Sequence, residues 1–293
     1  MAADAAALSE KARAKVNLYL HLCGQRADGY HLLDSLAVFP DICDVVSVTG
    51  ETGPELEIVG PYSGSLNGQP VDDNLVLGAA RAMAESTGRS LDISLRLEKN
   101  LPVASGIGGG SSDAAAALRL LARLWQCEVP GELALTLGAD VPVCLKAPDP
   151  TRMQGIGELL TPVPELPDFA MVLVNPGIEV PTGAVFNGVA DKSPRPGPEM
   201  PERFGSFDDF VDWLAQQRND LQPAAEAICP EIGRVLQSLS DAPLARMSGS
   251  GATCFGLFGS VAQAGQAAER LHRSSPDWWV TAAGVPGRER KRG

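Results

Sequence analysis

The chain has 293 residues, which is long enough to bury a large hydrophobic core, and this length favours two domains. It carries 24 Lys and Arg against 36 Asp and Glu, a formal net charge of −12. An acidic balance of this size argues against a general nucleic-acid surface or an anionic-membrane surface.

The six cysteines are scattered without a CxxC pair, and only three histidines accompany them. This usage predicts reduced, mostly buried thiols in a cytoplasmic protein and no metal framework. The first ten residues lack the basic start and apolar core of a secretory signal. No apolar run is long enough to span a membrane.

The first predicted element is a strand over residues 16–23, where apolar residues alternate with more polar ones, so that one face is expected to be buried. Lys15 and Asn17 are two residues apart and therefore share the face opposite the aliphatic row. A lysine that begins a strand is usually solvated, and the pattern alone gives Lys15 no other role.

A hairpin is predicted next, because an Asp28-Gly29 turn separates this strand from the returning strand at residues 32–39. Tyr30 and His31 lie at its shoulder. Spacing alone favours no more than a loop aromatic and a solvated histidine at these two positions.

Short strands are predicted at residues 45–48 and 56–59, followed by a helix from Leu75 to Thr87. Residues 72–74 offer N-caps for this helix, and Gly88 closes it. Residues 91–98 then alternate apolar and polar side chains, which predicts a strand that is buried on one face only.

Residues 101–125 combine a glycine-rich loop with an amphipathic helix. The loop contains Gly106, Gly108, Gly109 and Gly110. Because glycine has no Cβ, the backbone there can adopt positive φ and let a bulky ligand approach its amides. Free N–H groups together with the positive end of the helix dipole form an anion site, most often for phosphate.

The helix is predicted to begin at Asp113, where apolar residues start to recur at spacings of three and four up to Trp125. Ser111, Ser112 and Asp113 are natural N-cap residues for it. A Gly/Ser run can also be a flexible connection, but four glycines, two serines and an immediate helix favour the phosphate site.

Two well-known nucleotide loops fit this segment poorly. A Walker A loop needs Gly-Lys-Ser/Thr, whereas Ser111 follows Gly110. A Rossmann fingerprint that starts at Gly106 needs glycine or alanine at position 111. The preceding strand also alternates, whereas parallel strands between two helix layers read as continuous apolar runs.

A shorter helix is predicted at residues 130–137, with Gly138 at its end. Asp140 follows, between that glycine and Pro142. An aspartate in such a place is commonly a turn residue, yet loops on rigid scaffolds carry much catalysis, so both interpretations of Asp140 stay open.

The composition changes near residue 150. Residues 152–158 are predicted to form a loop, Phe169 to Val174 a continuously apolar strand, and Thr182 a cap before Phe186. The further elements are a proline-rich loop at 192–201, helices at 207–217 and 223–240 with an interruption near Pro230, a Gly/Ser turn that runs into a strand at 247–258, a helix at 261–273, a strand at 278–283 and a short basic tail that is expected to be solvated.

Five segments together resemble the GHMP kinase superfamily: Lys15-Val-Asn17, Gly24 to His31, residues 102–113, Leu137 to Pro142 and Ser248 to Ala252. The resemblance extends from about residue 11 to about residue 285. Three motifs resemble those of the superfamily branch that phosphorylates 4-diphosphocytidyl-2-C-methyl-D-erythritol: GQRADGYH, LGADVPV and Val180-Pro181-Thr182. Ala104-Ser105 replaces glycines that the superfamily pattern leads us to expect.

The resemblance implies an α+β fold with mixed, mostly antiparallel sheets, an N-terminal domain at 1–150, a C-terminal domain at 151–293 and an active site in the cleft between them. It implies transfer of the ATP γ-phosphoryl group to the 2-hydroxyl of the cytidine diphosphate-linked polyol, in the non-mevalonate isoprenoid pathway. Another alcohol acceptor, or a binding protein of the same fold that has lost catalysis, are the alternatives.

The resemblance also implies roles for individual residues. Asp140 is expected to be the base, and Lys15 is expected to pair with it and to position the reacting oxygens. The triphosphate is expected to be held by Pro102, Val103, Ala104, Ser105, Gly106, Ile107, Gly108, Gly109, Gly110, Ser111 and Ser112. Substrate binding is expected at Asn17, Tyr30, His31, Thr182 and Phe186.

Within that last set, Tyr30 and Phe186 are candidates to stack on cytosine and His31 is the candidate for its edge. This requires residues 25–31 and 180–187 to meet across the cleft. ATP and Mg²⁺ are the expected cofactors, with no dedicated protein metal site. No nucleic-acid or membrane partner is expected, and the protein is expected to be a monomer or homodimer.

Overall fold

A computed structural model of the chain describes residues 8–50, 53–66, 70–103, 105–192 and 194–285. The basic tail and Ala104 lie outside the described residues. Two compact units interleave along the sequence. Unit 1 comprises the described residues of Met1–Ala14, Ile42–Val103 and Gly108–Leu145, and unit 2 those of Lys15–Asp41, Ala104–Ile107 and Lys146–Gly293.

The strands, numbered in chain order, are β1 (Ser9–Arg13), β2 (Val16–Gln25), β3 (His31–Val38), β4 (Cys43–Gly50), β5 (Leu56–Val59), β6 (Ser94–Glu98), β7 (Thr151–Gly155), β8 (Leu159–Pro162), β9 (Phe169–Asn175), β10 (Leu244–Met247), β11 (Cys254–Phe258) and β12 (Trp279–Val285). The α-helices are α1 (Leu75–Thr87), α2 (Gly109–Trp125), α3 (Leu133–Leu137), α4 (Val141–Cys144), α5 (Thr182–Gly188), α6 (Phe207–Ala215), α7 (Gln222–Ile228), α8 (Glu231–Ser238) and α9 (Val261–Ser274). Short 3-10 helices lie at Ser63–Leu66 and Val71–Asp73.

Unit 1 is a sheet in the order β1-β4-β6-β5, against which α2 packs with α1 beside it. The sheet is antiparallel except for the parallel pair β5 and β6. Strand β6 buries Leu95 and Leu97 and exposes Arg96, as its alternation predicts. Helix α1 has the predicted bounds, because Asn74 accepts a hydrogen bond from the Val76 amide and Gly88 ends the helix with φ 64°.

Unit 2 contains two antiparallel sheets, β10-β11-β9-β12 and β2-β3-β7-β8. All seven residues of β9 are buried, which agrees with its continuous apolar run. Helix α9 covers β9 and β12. The predicted interruption near Pro230 separates α7 from α8, and the proline-rich segment 194–201 has neither helix nor strand.

Several expectations about elements were wrong. Strand β2 is buried on both faces from Val16 to Leu22, because its polar face packs inward: the His21 ring lies against Tyr19, and Tyr19 lies against Trp213. Residues 152–155 belong to β7, where Arg152 pairs with Asp34 on β3 across the sheet, so only residues 156–158 form the predicted loop. The helix predicted at residues 130–137 begins only at Leu133, so residues 130–132 precede α3. Strand β1 was not predicted, because no strand pattern was recognised in its sequence.

No helix in the described ranges is long and apolar enough to cross a membrane. Three of the six cysteines, Cys144, Cys229 and Cys254, are buried, whereas Cys43 and Cys127 are half-buried and Cys23 is exposed. The expectation of mostly buried thiols therefore holds for three of the six.

Candidate active site

The start of α2 has the backbone expected of an anion site. Gly108 is the N-cap in the left-handed conformation, with φ 66°, and the first helical hydrogen bond runs from the Ser112 amide to the Gly108 carbonyl over 2.8 Å. Among the described residues, no side chain caps this helix. The N–H groups at positions 109–111 precede the helical ladder, so they and the helix dipole can bind a phosphate.

The prediction that Ser111, Ser112 and Asp113 cap the helix was wrong. Gly108 turns the chain at positive φ, which lets the helix begin at Gly109, four residues earlier than predicted. Ser112 and Asp113 are instead buried inside the helix. The Ser112 hydroxyl lies 3.3 Å from the Cys144 sulfur, and Asp113 pairs with Lys99.

Asp140, also in unit 1, is half-buried at the residue before α4. Its carbonyl accepts a hydrogen bond from the Cys144 amide over 3.1 Å, so the backbone there is fixed by a helical turn. Gly138, with φ 156°, ends α3 and leads the chain into this position. The local sequence therefore places the carboxylate on a rigid corner between two short helices.

Lys15 and Asn17 form a buried pair at the beginning of β2 in unit 2. The Lys15 ammonium donates a hydrogen bond to Oδ1 of Asn17 over 2.9 Å, and both residues are at most 4% exposed. Asn17 in turn donates from Nδ2 to the Ser35 hydroxyl over 2.7 Å. The shared face predicted for the two residues is confirmed, whereas the solvated interpretation of Lys15 is wrong.

Residues 105–107 are held by backbone contacts within unit 2. The Lys15 amide donates to the Ile107 carbonyl over 2.9 Å. On the other side, Thr253 donates to the Ser105 carbonyl from its amide at 3.2 Å and from its hydroxyl at 2.5 Å. The Gly/Ser turn at 248–252 thus packs on this part of the glycine loop.

Gly106 has no room for a side chain at this contact. A Cβ on it would lie 2.3 Å from the Gly251 carbonyl oxygen, and its φ is 75°. Ser248 bridges the same region, because its hydroxyl accepts the Asn17 amide at 3.1 Å and donates to the Gly106 carbonyl at 3.3 Å. The Gly/Ser turn and this part of the glycine loop are therefore complementary in shape.

Residues from the two motifs that were expected to bind cytosine meet in unit 2. The rings of His31 and Phe186 are 5.1 Å apart between centroids and inclined by 30°. Burial lowers the pKa of His31, and the charge of Lys192 lowers it further. Tyr30 beside it is 61% exposed. His31 and Phe186 thus meet as the prediction required, but they do so within unit 2 and not across a cleft between two domains.

Thr182 is the first residue of α5 and not its N-cap, which is Pro181. The prediction of a Thr182 cap was therefore wrong. Its hydroxyl lies 2.8 Å from the hydroxyl of Ser250 and forms a hydrogen bond with it. This bond joins the start of α5 to the Gly/Ser turn.

Comparison with known proteins identifies the family. The GHMP kinases N terminal domain matches residues 74–147, and the GHMP kinases C terminal domain matches residues 202–277. The 4-diphosphocytidyl-2-C-methyl-D-erythritol kinase of Cereibacter sphaeroides is 51% identical over 282 residues, which cover 94% of this chain and 98% of that protein. The chain belongs to the GHMP kinase family.

Two further similarities agree with this assignment. The 4-diphosphocytidyl-2-C-methyl-D-erythritol kinase of Ruegeria pomeroyi is 52% identical to this GHMP kinase over 93% of the chain and 97% of that protein. A crystal structure of 4-(cytidine 5'-diphospho)-2C-methyl-D-erythritol kinase shares the fold, with a TM-score of 0.75, 34% identity and coverage of 95% and 100%. The predicted fold and the predicted enzyme class, a GHMP-family kinase, are confirmed.

The structure groups the predicted site residues of this GHMP kinase by unit. Unit 1 contains Asp140 and the loop residues Pro102, Val103, Gly108, Gly109, Gly110, Ser111 and Ser112. Unit 2 contains Lys15, Asn17, Tyr30, His31, Ser105, Gly106, Ile107, Thr182 and Phe186. The pairing of Lys15 with Asp140, the domain boundary at residue 150 and the location in a cleft stay predictions.

Sequence reasoning missed residues that support the predicted site residues within each unit. Ser35 orients Asn17 from the neighbouring strand, and Lys99 and Asp44 lie behind the start of α2. A serine within an apolar strand carries no distinctive pattern. Lys99 and Asp44 are far apart in sequence, so their pairing has no local signal, although a lysine just before a glycine loop could have been singled out.

Proposed function

We propose that this GHMP kinase transfers the γ-phosphoryl group of ATP to the 2-hydroxyl group of 4-diphosphocytidyl-2-C-methyl-D-erythritol, in the non-mevalonate isoprenoid pathway. The relatives that are 51% and 52% identical to this chain over nearly its whole length are named 4-diphosphocytidyl-2-C-methyl-D-erythritol kinase. The observation that carries the proposal is the contact between His31 and Phe186, because it joins two motifs that distinguish this kinase within the superfamily.

On the acceptor side, the aromatic groups fit a pyrimidine base. Tyr30 and Phe186 offer ring faces for stacking, which is worth ~1 to 3 kcal/mol per base. The lowered pKa of His31 keeps its imidazole neutral near pH 7, and because Nε2 is buried, it is the other ring nitrogen that would meet the edge of a neutral base. Thr182, held by Ser250, and Asn17 would contact the rest of the acceptor.

On the nucleotide side, residues 102–112 hold the triphosphate in this proposal. The uncapped start of α2 supports it, because its backbone amides need an anionic partner. Glycine at 109 and 110 keeps that surface open. A Cβ at Gly109 would approach the Lys99 ammonium to 3.3 Å, and one at Gly110 would approach Leu75 to 3.2 Å.

Phosphoryl transfer asks the protein mainly for positioning, charge neutralisation and an oriented nucleophile. In our proposal, the Asp140 carboxylate accepts the proton of the acceptor hydroxyl, and the Lys15 ammonium orients the reacting oxygens. Asn17 supports this role, because from β2 it fixes the direction of the Lys15 side chain, which immediately precedes the strand.

Mg²⁺ fits this arrangement as a companion of the triphosphate. Within the described ranges, no group of three or more His, Cys, Asp or Glu could hold a metal ion. Mg²⁺ is commonly bound by substrate phosphates with one or two carboxylates, and it would neutralise charge on the transferred group. Asp140 is the carboxylate of the predicted site. A cytoplasmic location and a monomer or homodimer complete the proposal.

The alternative is a kinase of the same family with another alcohol acceptor. Steady-state assays of ATP consumption with the cytidylyl substrate, free 2-C-methyl-D-erythritol, mevalonate, homoserine and galactose separate the two. We expect the highest kcat/KM with the cytidylyl substrate and very low values with the free polyol, because the remote binding energy of the nucleotide is lost. Efficient turnover of the free polyol, mevalonate or homoserine would refute the acceptor assignment.

A further inference from the structure

Three charged side chains form a buried ion cluster in unit 1: Asp44 on β4, Lys99 just after β6, and Asp113 on α2. The Lys99 ammonium contacts Oδ2 of Asp44 and lies 2.8 Å from Oδ2 of Asp113. The exposed fractions of the three side chains lie between 0% and 5%. Nothing in the proposed reaction uses these groups directly.

The buried ion cluster connects the two ends of the glycine loop. Oδ1 of Asp44 accepts hydrogen bonds from the amides of Asn100, at 2.5 Å, and Leu101, at 2.8 Å, which immediately precede the loop. Asp113 is the fifth residue of α2, which the loop enters. The Lys99 ammonium joins the two carboxylates. It also lies 3.3 Å from the position that a Cβ on Gly109 would occupy.

A purely stabilising role does not account for this arrangement. Burying charges costs desolvation energy, and well-packed apolar residues often give equal or greater stability than a buried ion pair. Two carboxylates share one ammonium here, and Oδ1 of Asp113 is buried without a hydrogen-bond partner in the described structure. Directional contacts of this kind fix a geometry, which apolar packing does less well.

We propose that the buried ion cluster positions the phosphate loop for ATP: Asp44 fixes its entry, Asp113 fixes the start of α2, and Lys99 holds the two together. The three residues are positioning residues, because they act through the backbone of residues 100–101 and 109–112. This inference rests on the proposed role of the loop in ATP binding.

The test compares Asp113→Ala with Asp113→Asn in the full-length kinase. Alanine removes the link to Lys99, whereas asparagine keeps an oxygen that can accept from the ammonium. Both variants leave Lys99 paired with Asp44, so neither variant leaves a buried charge without a partner. We expect Asp113→Ala to raise the KM for ATP about fivefold or more with the acceptor KM within twofold, and Asp113→Asn to stay within twofold for both.

Met83→Ala is the matched control, because it opens a cavity at a fully buried residue of α1, a helix of the same unit that contains no residue of the cluster. We expect it to lower the melting temperature and leave the ATP KM unchanged. Hydrogen exchange of the unliganded protein should be faster at the first hydrogen-bonded amides of α2, from Ser112 onward, in Asp113→Ala than in Met83→Ala.

An unchanged ATP KM in Asp113→Ala, or equal increases in the ATP and acceptor KM values, would overturn the positioning role. Acceptor assays on the wild-type protein test the proposed function separately, so the two failures are distinguishable. If Asp113→Ala does not fold, Asp44→Asn replaces it. The asparagine oxygen can still accept hydrogen bonds from the amides of Asn100 and Leu101, but the asparagine NH2 group then faces the Lys99 ammonium. This variant should also raise the KM for ATP without raising the KM for the acceptor.

Discussion

The imidazole ring of His31 lies against the phenyl ring of Phe186, with centroids 5.1 Å apart. His31 begins β3 and Phe186 lies in α5, so the contact depends on the tertiary fold of unit 2. Burial keeps the imidazole neutral by lowering its pKa. The adjacent Tyr30 is 61% exposed, which leaves its ring available to a ligand.

We predict that Tyr30→Ala and Phe186→Ala each raise the KM for the cytidylyl substrate several-fold or more. Each change removes a stacking face, and stacking is worth ~1 to 3 kcal/mol. The KM for ATP should change much less. Steady-state kinetics with each substrate varied in turn provide the measurement.

Phe204→Ala is the control for this experiment, because Phe204 packs on Phe210 and Trp213 in the same unit. It should lower stability without a selective effect on the acceptor. Equal changes in both KM values for Phe186→Ala would indicate that this ring is an ordinary packing residue.

The second prediction concerns the glycine at the first position of α2. Gly109→Val places a branched side chain against the Lys99 ammonium and over the amides of the helix start. We expect a raised ATP KM or loss of activity, with near-normal circular dichroism. The control is Gly78→Ala in α1, where a Cβ meets no atom within 4 Å; helix propensity should make it more stable by ~1 kcal/mol. Unchanged ATP kinetics in Gly109→Val would argue against the phosphate site.

The third prediction concerns the base. Asp140→Ala and Asp140→Asn should each lower kcat by ~10² or more, the scale of general-base catalysis, with ATP binding largely intact. Asp149→Ala, at an exposed carboxylate, should leave kcat unchanged. A wild-type kcat in Asp140→Asn would remove Asp140 from the proposed mechanism.

The fourth prediction follows from His21, which is 3% exposed. Burial lowers the pKa of His21 to about 4, and the charge of Arg218 contributes in the same direction. The unfolded state therefore binds more protons than the folded state between about pH 6.5 and 4, so stability falls as the pH falls through this window. This difference in pKa corresponds to a loss of at most about 3.5 kcal/mol in the free energy of unfolding.

Urea unfolding between pH 7 and pH 4 measures this dependence. The amide of Arg218 donates to Nε2 of His21 at 3.3 Å, and the side-chain oxygen of glutamine can replace this acceptor. His21→Gln should therefore show a shallower loss of stability than the wild type. Parallel curves for the two proteins would contradict a buried, neutral His21.

Local signals in the sequence predicted much of the fold. The bounds of α1 follow from an asparagine cap and a closing glycine, and β9 follows from its apolar run. Strand β7 could not be recognised from local sequence, because its stability comes from pairing with β3 and from the ion pair between Arg152 and Asp34. Its residues have weak strand propensity, and tertiary contacts decide their conformation.

The candidate site was predictable in a similar, partial way. Individual motifs indicated the loop, Lys15 and Asp140, but the helix start was misplaced, because Ser111 and Ser112 resemble caps while Gly108 performs the turn. The burial of Lys15 could not be read from the alternation of β2. It depends on Asn17, which Ser35 and Ser248 hold from distant parts of the chain.

The most direct test of the account is ³¹P NMR of the product formed from ATP and 4-diphosphocytidyl-2-C-methyl-D-erythritol. Carbon 2 of the polyol carries a methyl group and no hydrogen, so a phosphate on its hydroxyl has no three-bond coupling to a proton. The account predicts a new phosphomonoester singlet that grows as ATP is converted to ADP, and that grows at least ~10² times more slowly with Asp140→Asn. A doublet or triplet would place the phosphate on another hydroxyl, and no new phosphomonoester would contradict the assigned reaction.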